Sequence, residues 1–289
     1  MLELIKNTNI DFLGKRYIAF ALSGIFTLLG ILAIIQITRG QANLGIDFAG
    51  GTALQLKFEK PVLLHDIRLA LESIGLKDFD LQDLPTENKI LIRMKKSEEE
   101  LGQGAEAITS VLSQKFPDNK YVVDFTTVIG PKVGGRLRAD AAKAIAAAVI
   151  GLLIYVAFRF QIRFGVGATI ATFHDVLAVL GLFYIMGKEI NLILVTALLT
   201  IAGYSLTDTV VVFDRIRENL KLRQREEVKS VMNSSINEVL SRTIITSTTV
   251  LFTSLALFFF GGEVIHDFSL AMIMGVIVGT YSSIFVASP

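Results

Sequence analysis

Hydrophobic residues along this chain fall into two patterns of different period. In one they run on almost unbroken for twenty residues or more. In the other they alternate with polar residues, or recur every three to four positions. Six windows are of the first kind, at roughly 17–37, 139–158, 164–186, 190–213, 241–260 and 267–287. Crossing a bilayer as a helix takes about 20 apolar residues, so each window predicts a transmembrane span. Lys15 and Arg16 precede the first window, as in a signal peptide. That window is too long for a signal core, and no small-residue cleavage site follows it, so a retained span is expected.

The second pattern occupies about 100 residues between spans one and two. TALQLKF (52–58) alternates as a strand, whereas VLLHDIRLALESI (62–74) places Leu63, Ile67, Leu71 and Ile74 at helical spacing. A short strand near 79–83 follows, then KILIRMK (89–95) as another. SEEELGQGAEAITSVLSQKF (97–116) reads as a helix with a Ser cap and an acidic first turn, and YVVDFTTVI (121–129) as a last strand. The order β-α-β-β-α-β is that of a split βαβ, ferredoxin-like α+β domain. Three regions are therefore predicted: 1–38 with span one, 39–138 as the α+β domain, and 139–289 with spans two to six. The last contains one charge-dense loop, 214–240. That loop is expected to form an amphipathic helix on the membrane surface or, alternatively, a partner-docking surface.

Charge matters through its distribution. The formal net charge is only +1 over 289 residues, and charged residues make up 19% of the chain. Mean hydropathy is +0.57. With the N-terminus inside, the inside segments collect Lys6, Lys15, Arg16, Arg159, Arg163, Arg215, Arg217, Lys221, Arg223, Arg225 and Lys229, against Lys188 alone in the short outside loops. Both termini are thus expected to be cytoplasmic and the α+β domain external. Arg136, Arg138 and Lys143 run against this rule, but they follow a long external domain, where it is weak. With no Cys, neither a disulfide framework nor a thiolate metal site is available, and His65, His174 and His266 are far apart in the sequence. No phosphate-binding G-x-x-x-x-G-K-[ST] loop, nucleophile elbow or H-E-x-x-H is present, so neither direct ATP use nor hydrolysis is expected. The basic loop is explained by topology and anionic lipid rather than by nucleic acid.

Carboxylates inside the spans carry the candidate chemistry. Placing an acid at the centre of a span costs about 2.5–3.5 kcal/mol on insertion scales, so it needs a partner, water or a proton. Asp208 lies in span four with Tyr204 and Ser205 on its face. Span five carries Arg242, Thr246, Thr249 and Thr253 as one stripe. Spans four and five are antiparallel, so contact between Asp208 and Arg242 is possible. Alternatively, Arg242 snorkels to the interface and Asp208 forms a fixed hydrogen bond or ion pair. Asp175 in span three shares its face with Ala168, Ala171, Ala178 and Leu182, and is expected to face protein. It is either a packed helix–helix hydrogen bond or a second proton site. Burial raises a carboxyl pKa and a nearby Arg lowers it, so a group moving between such settings would bind and release a proton.

GIDFAGGT (45–52), GPKVG (130–134), ATFHDV (171–176), GYSLTDTVVVFDRIREN (203–219), LSRTIITSTTV (240–250) and GTYSSIFVASP (279–289) together resemble the SecF branch of the SecD/SecF family of the bacterial Sec export machinery. The likeness covers nearly the whole chain. It implies half of an RND-like, twelve-span assembly completed by SecD, associated with the SecYEG channel and often YajC in the inner membrane. Such an assembly uses the proton motive force to assist the late stage of preprotein movement, after the SecA ATPase has acted, with protons as the coupling ion and no bound cofactor. By motif, Asp208 carries over as the proton-responsive carboxylate and Arg242 as its partner, with Asp175 and Thr246 as weaker candidates. Gly45, Asp47, Gly50 and Gly51 belong to the external signature. The two adjacent glycines also allow positive φ or close backbone approach, and Asp47 caps a turn or contacts substrate. The sequence stops at Pro289, where the family usually has a short basic tail. An RND-like exporter of small molecules or lipid and a passive assembly subunit are the alternative functions.

Overall fold

A computed structural model describes residues 8–76, 79–84, 88–94, 103–159 and 162–289. In chain order the elements are α1 (Arg16–Thr38), α2 (Ile46–Ala49), β1 (Gly51–Phe58), α3 (Leu64–Glu72), β2 (Phe79–Leu84), β3 (Lys89–Met94), α4 (Gln103–Lys115), β4 (Tyr121–Ile129), α5 (Pro131–Arg159), α6 (Ile162–Ile185), α7 (Leu192–Leu222), α8 (Val228–Phe260) and α9 (Glu263–Phe285). The chain divides into two compact units, one of Leu44–Lys143, the other of Met1–Asn43 with Ala144–Pro289. The proposed Ser97 cap and acidic first turn of the second domain helix lie outside the described residues, as do Lys6 and the side chain of Arg163.

In the first unit four antiparallel strands take the order β2-β3-β1-β4, the ferredoxin-like arrangement expected of β-α-β-β-α-β. Period-two alternation sets the core face. Ile90, Ile92 and Met94 on β3 and Leu54, Leu56 and Phe58 on β1 point to one side. There they meet Ile67 and Leu71 of α3 and Ile108 and Leu112 of α4. The β1–β4 register shifts between Gln55 and Leu56, leaving Asp124 as the extra residue of a bulge on β4. Its carboxylate accepts from Gln55 Nε2 at 3.1 Å and pairs with Lys89 Nζ at 3.0 Å. β4 is an edge strand, and Val122, Val123, Phe125 and Val128 on it are exposed.

Among the described residues of the whole chain, six helices are long and apolar enough to cross a membrane. Their packing is uneven. α6, α7 and α9 are half or more buried along their apolar windows, against 11% for α5 and 17% for α8. α1 crosses α6 at two glycines. A Cβ on Gly30 would lie 2.3 Å from Leu177 O, and one on Gly181 would lie 2.7 Å from Gly30 N. Only glycine permits this backbone-to-backbone approach. Within the loop at 186–191, Lys188 pairs with Asp267 at 3.0 Å, and Gly187 O accepts from Asn43 at 3.1 Å.

Two expectations change. α5 begins at Pro131, eight residues before the expected start of span two, because Pro is preorganised for the first helical position. Residues 214–240 are neither a loop nor a helix laid flat on a surface. α7 continues to Leu222 and α8 starts at Val228, so only 223–227 joins them. At 1.5 Å per residue, the 31 residues of α7 extend about 46 Å, well beyond a hydrocarbon core of about 30 Å. The two helix ends zip together as an antiparallel hairpin. Ile216 and Ile236 are buried in its seam. Arg215 and Arg223 pair with Glu238 at 2.5 and 2.9 Å, and Asn219 donates to Ser235 Oγ at 2.9 Å. Asn233 and Asn237 on α8 bind the backbone at Ile10 and Phe12, strapping the segment ahead of α1 to this hairpin.

Candidate functional site

Three helices bring the buried carboxylates together. Asp175 on α6 is fully buried, and Asp208 on α7 is 7% exposed. The two are bound by adjacent residues of α9. Ser282 Oγ donates to Asp175 Oδ2 at 2.6 Å, and Ser283 Oγ donates to Asp208 Oδ2 at 2.7 Å. A step of one residue turns a helix by about 100°, which lets one segment of α9 face both α6 and α7. Asp175 has further partners. Ser205 of α7 donates to its Oδ2, and His174 Nδ1 lies 2.8 Å from its Oδ1. Gly279, one turn before Ser282, lies close to this cluster: a Cβ there would sit 3.3 Å from Ser205 Cβ, so Ser205 would have to give by a few tenths of an ångström.

A second polar layer includes α8. Tyr204 OH donates to Ser247 Oγ at 2.9 Å, and Thr280 Oγ1 reaches the same oxygen at 2.7 Å. Buried polar groups in an apolar interior are stable only when hydrogen-bonded, and this seam of hydroxyls meets that demand for both carboxylates. Thr243 of α8 also lies within hydrogen-bonding reach of Asp208, whereas His174 Nε2 and the Oγ1 atoms of Thr172 and Thr209 are buried polar atoms without a hydrogen-bond partner among the described residues.

Asp208 and Arg242 make no ion pair or hydrogen bond among the described residues. Arg242 is exposed and lies within electrostatic reach of Asp208 without touching it. Thr246, Thr249 and Thr253 are also exposed, and each donates to a carbonyl of its own helix three or four residues back. The face of α8 that meets its neighbours instead carries Thr243, Ser247 and Ser254. Asp175, the more deeply enclosed acid, has the larger set of partners. Ser282, Ser283 and Ser247 were not singled out from the sequence. The signal for the first two was a polar pair in an otherwise apolar span.

The signature before β1 forms a separate structure. Gly45 precedes the single turn of α2, and Asp47 lies in that turn. Gly50 and Gly51 have φ of +77° and +141°, which side-chain-bearing residues rarely adopt. A Cβ on Gly50 would lie 2.9 Å from Pro131 Cα, and one on Gly134 would lie 2.9 Å from Gly50 N. The GIDFAGGT and GPKVG segments therefore pack backbone against backbone.

Residues 108–289 match the family described as protein export membrane protein SecD/SecF, C-terminal, and residues 42–62 match the SecD/SecF GG motif. A protein of Thermodesulfovibrio yellowstonii named protein translocase subunit SecF is 59% identical over 100% of this chain and 96% of its own length. A protein of the same name from Calditerrivibrio nitroreducens is 47% identical, over 99% of this chain and 95% of its own. Among solved structures, SecDF from Thermus thermophilus, described as a translocon-associated membrane protein, superposes with a TM-score of 0.82 at 37% identity. That match takes in 98% of this chain but 38% of the SecDF chain.

Proposed function

This chain belongs to the SecD/SecF family of protein-export membrane proteins, and on that footing we propose that it is a SecF-type subunit of a protein translocase, working with a SecD partner. The likeness of its whole length to a part of a SecDF chain supports such a partnership. So do the sparsely buried faces of α5 and α8, which suit a subunit that packs against others. In this reading both termini are cytoplasmic, the α+β domain stands outside the inner membrane, and the complex works with SecYEG, and with YajC, on preproteins that SecA has already engaged.

Energy enters as protons. The observation that carries this reading is the pair of buried carboxylates, Asp175 and Asp208, held among the described residues by hydroxyls and an imidazole in the middle of a helical bundle. Without a fixed cation in contact, the charge state of such an acid responds to small changes in its surroundings. Protonation of Asp208 removes its attraction to Arg242 and alters its bond to Ser283. The helices then rearrange, and the α+β domain moves in consequence. One charge crossing 100 mV yields about 2.3 kcal/mol, enough to shift a two-state equilibrium roughly fiftyfold.

The missing Asp208–Arg242 contact favours a second reading, a polar cluster that only stabilises the bundle. Replacing Asp208 by Asn separates the two. With expression and partner binding checked, Asp208→Asn should abolish the stimulation of export by a proton gradient in membrane vesicles, while ATP-driven initiation persists. Gradient-stimulated export at wild-type rates in that variant would leave only the passive role.

A further inference from the structure

The two α9 hydroxyls that bind the buried carboxylates each have a second acceptor within reach. Ser283 Oγ lies 2.7 Å from Asp208 Oδ2 and 3.0 Å from Thr280 O, the carbonyl three residues earlier on α9. Ser282 Oγ lies 2.6 Å from Asp175 Oδ2 and 3.2 Å from Gly279 O. A serine hydroxyl carries one proton and can donate to one of these at a time.

We propose that Ser282 and Ser283 are two-position hydroxyl rotors that allow Asp175 and Asp208 to take up and release protons while remaining hydrogen-bonded, with Ser283 the positioning residue for Asp208. This deepens the proton-coupled reading above and rests on it. While Asp208 is ionised, the Ser283 O–H points at its Oδ2. When solvent supplies a proton, one O–H bond forms on Asp208 and no other covalent bond changes. The carboxylic acid becomes the donor, Ser283 Oγ its acceptor, and the serine proton swings to Thr280 O. Ser282 performs the same exchange between Asp175 and Gly279 O.

Each donor thus has an acceptor in both states, so neither state strands a polar group in the apolar interior. The two rotors are consecutive in α9, so a rotation or slide of that helix perturbs both acids together. The ionisable groups around them are few. His174 of α6 lies beside Asp175, Tyr204 of α7 and Arg242 of α8 lie about Asp208, and α9 offers only hydroxyls.

Infrared titration of the full chain in complex with its partner tests the proposal, with the Asp208 carboxyl band identified by its loss in Asp208→Asn. Ser283→Ala removes one donor to the ionised form and leaves Thr243 in reach, so the midpoint of that band should rise by about one pH unit. Ser283→Thr, which keeps the hydroxyl, should restore it. Ser282→Ala should move the Asp175 band instead. A purely structural serine would leave the Asp208 midpoint at its wild-type value in Ser283→Ala, and that result overturns the proposal.

If Ser283→Ala does not assemble, the wild-type chain carrying ¹³C=O at Thr280 provides the readout. Its carbonyl band should shift to lower frequency as Asp208 is protonated, and a band insensitive to pH counts against the rotor. An Asp208 midpoint that moves as expected, with export indifferent to Asp208→Asn, would retain the rotor and discard the export reading. Loss of gradient-driven export in Asp208→Asn, with a midpoint blind to Ser283, would do the reverse.

Discussion

At the scale of single residues, polarity within a span does not reveal which way a side chain faces. The stripe of Arg242, Thr246, Thr249 and Thr253 stands out in the sequence, yet it faces away from the other helices of the chain. A threonine on a helix satisfies its hydroxyl on the carbonyl three or four residues back, as Thr246, Thr249 and Thr253 do, and so needs no neighbour. Asp175 and Asp208 lack that option, because a carboxylate only accepts. Their need for donors was therefore legible, and the identity of the α9 donors, 107 and 75 residues away in sequence, was not. Glycines are informative in a similar way. Gly181→Leu should drive α1 from α6 and cost about 1–3 kcal/mol, as overpacking does. A lowered midpoint in thermal unfolding of the detergent-solubilised chain would register this. Gly24→Ala, where a Cβ meets nothing within 4 Å, is the control and should be neutral or slightly stabilising.

At the scale of elements, the six spans and the strand order of the α+β domain could be read from hydropathy and alternation, because bilayer thickness and sheet pleating impose those periods. The hairpin formed by the ends of α7 and α8 could not. Its charge density concealed buried positions at Ile216, Asn219, Val231, Ser235 and Ile236, whose spacing is helical on both arms. Arg215, Arg223 and Glu238 are pinned across the seam, so a segment that looks solvated is a stiff extension of two spans. The strap at Ile10 and Phe12 depends on this stiffness. Replacing both Asn233 and Asn237 by Ala should release it. Backbone amides at Ile10 and Phe12 should then exchange hydrogen faster, while those of α7 and α9 keep their wild-type protection. Unchanged exchange at Ile10 would mean that the asparagines do not hold the strap.

At the scale of the whole molecule, the chain has two separate cores, one built on a sheet and one on packed helices. Acid should weaken the sheet core through one identifiable pair. Lys89, by its hydrogen bond and charge, holds the Asp124 carboxyl below the ordinary value of 3.8. A depressed carboxyl contributes stability above its unfolded pKa and loses that contribution as pH falls through the folded one. Amide protection in β1, β3 and β4 should therefore decline below about pH 3.8, by a small amount because the pair is near the surface. Asp124→Asn should remove this component of the decline, and an identical acid response in that variant would assign it elsewhere. The glycine crossing of α1 and α6 also decides where an observer should place a spectroscopic label. Two helices welded along their backbones share every displacement, so a spin probe on α1 reports α6 as much as itself. Phe158 on α5, 90% exposed, offers a site free of that tie. The separation between a tag there and one on the welded pair is the natural ruler for any displacement among these helices.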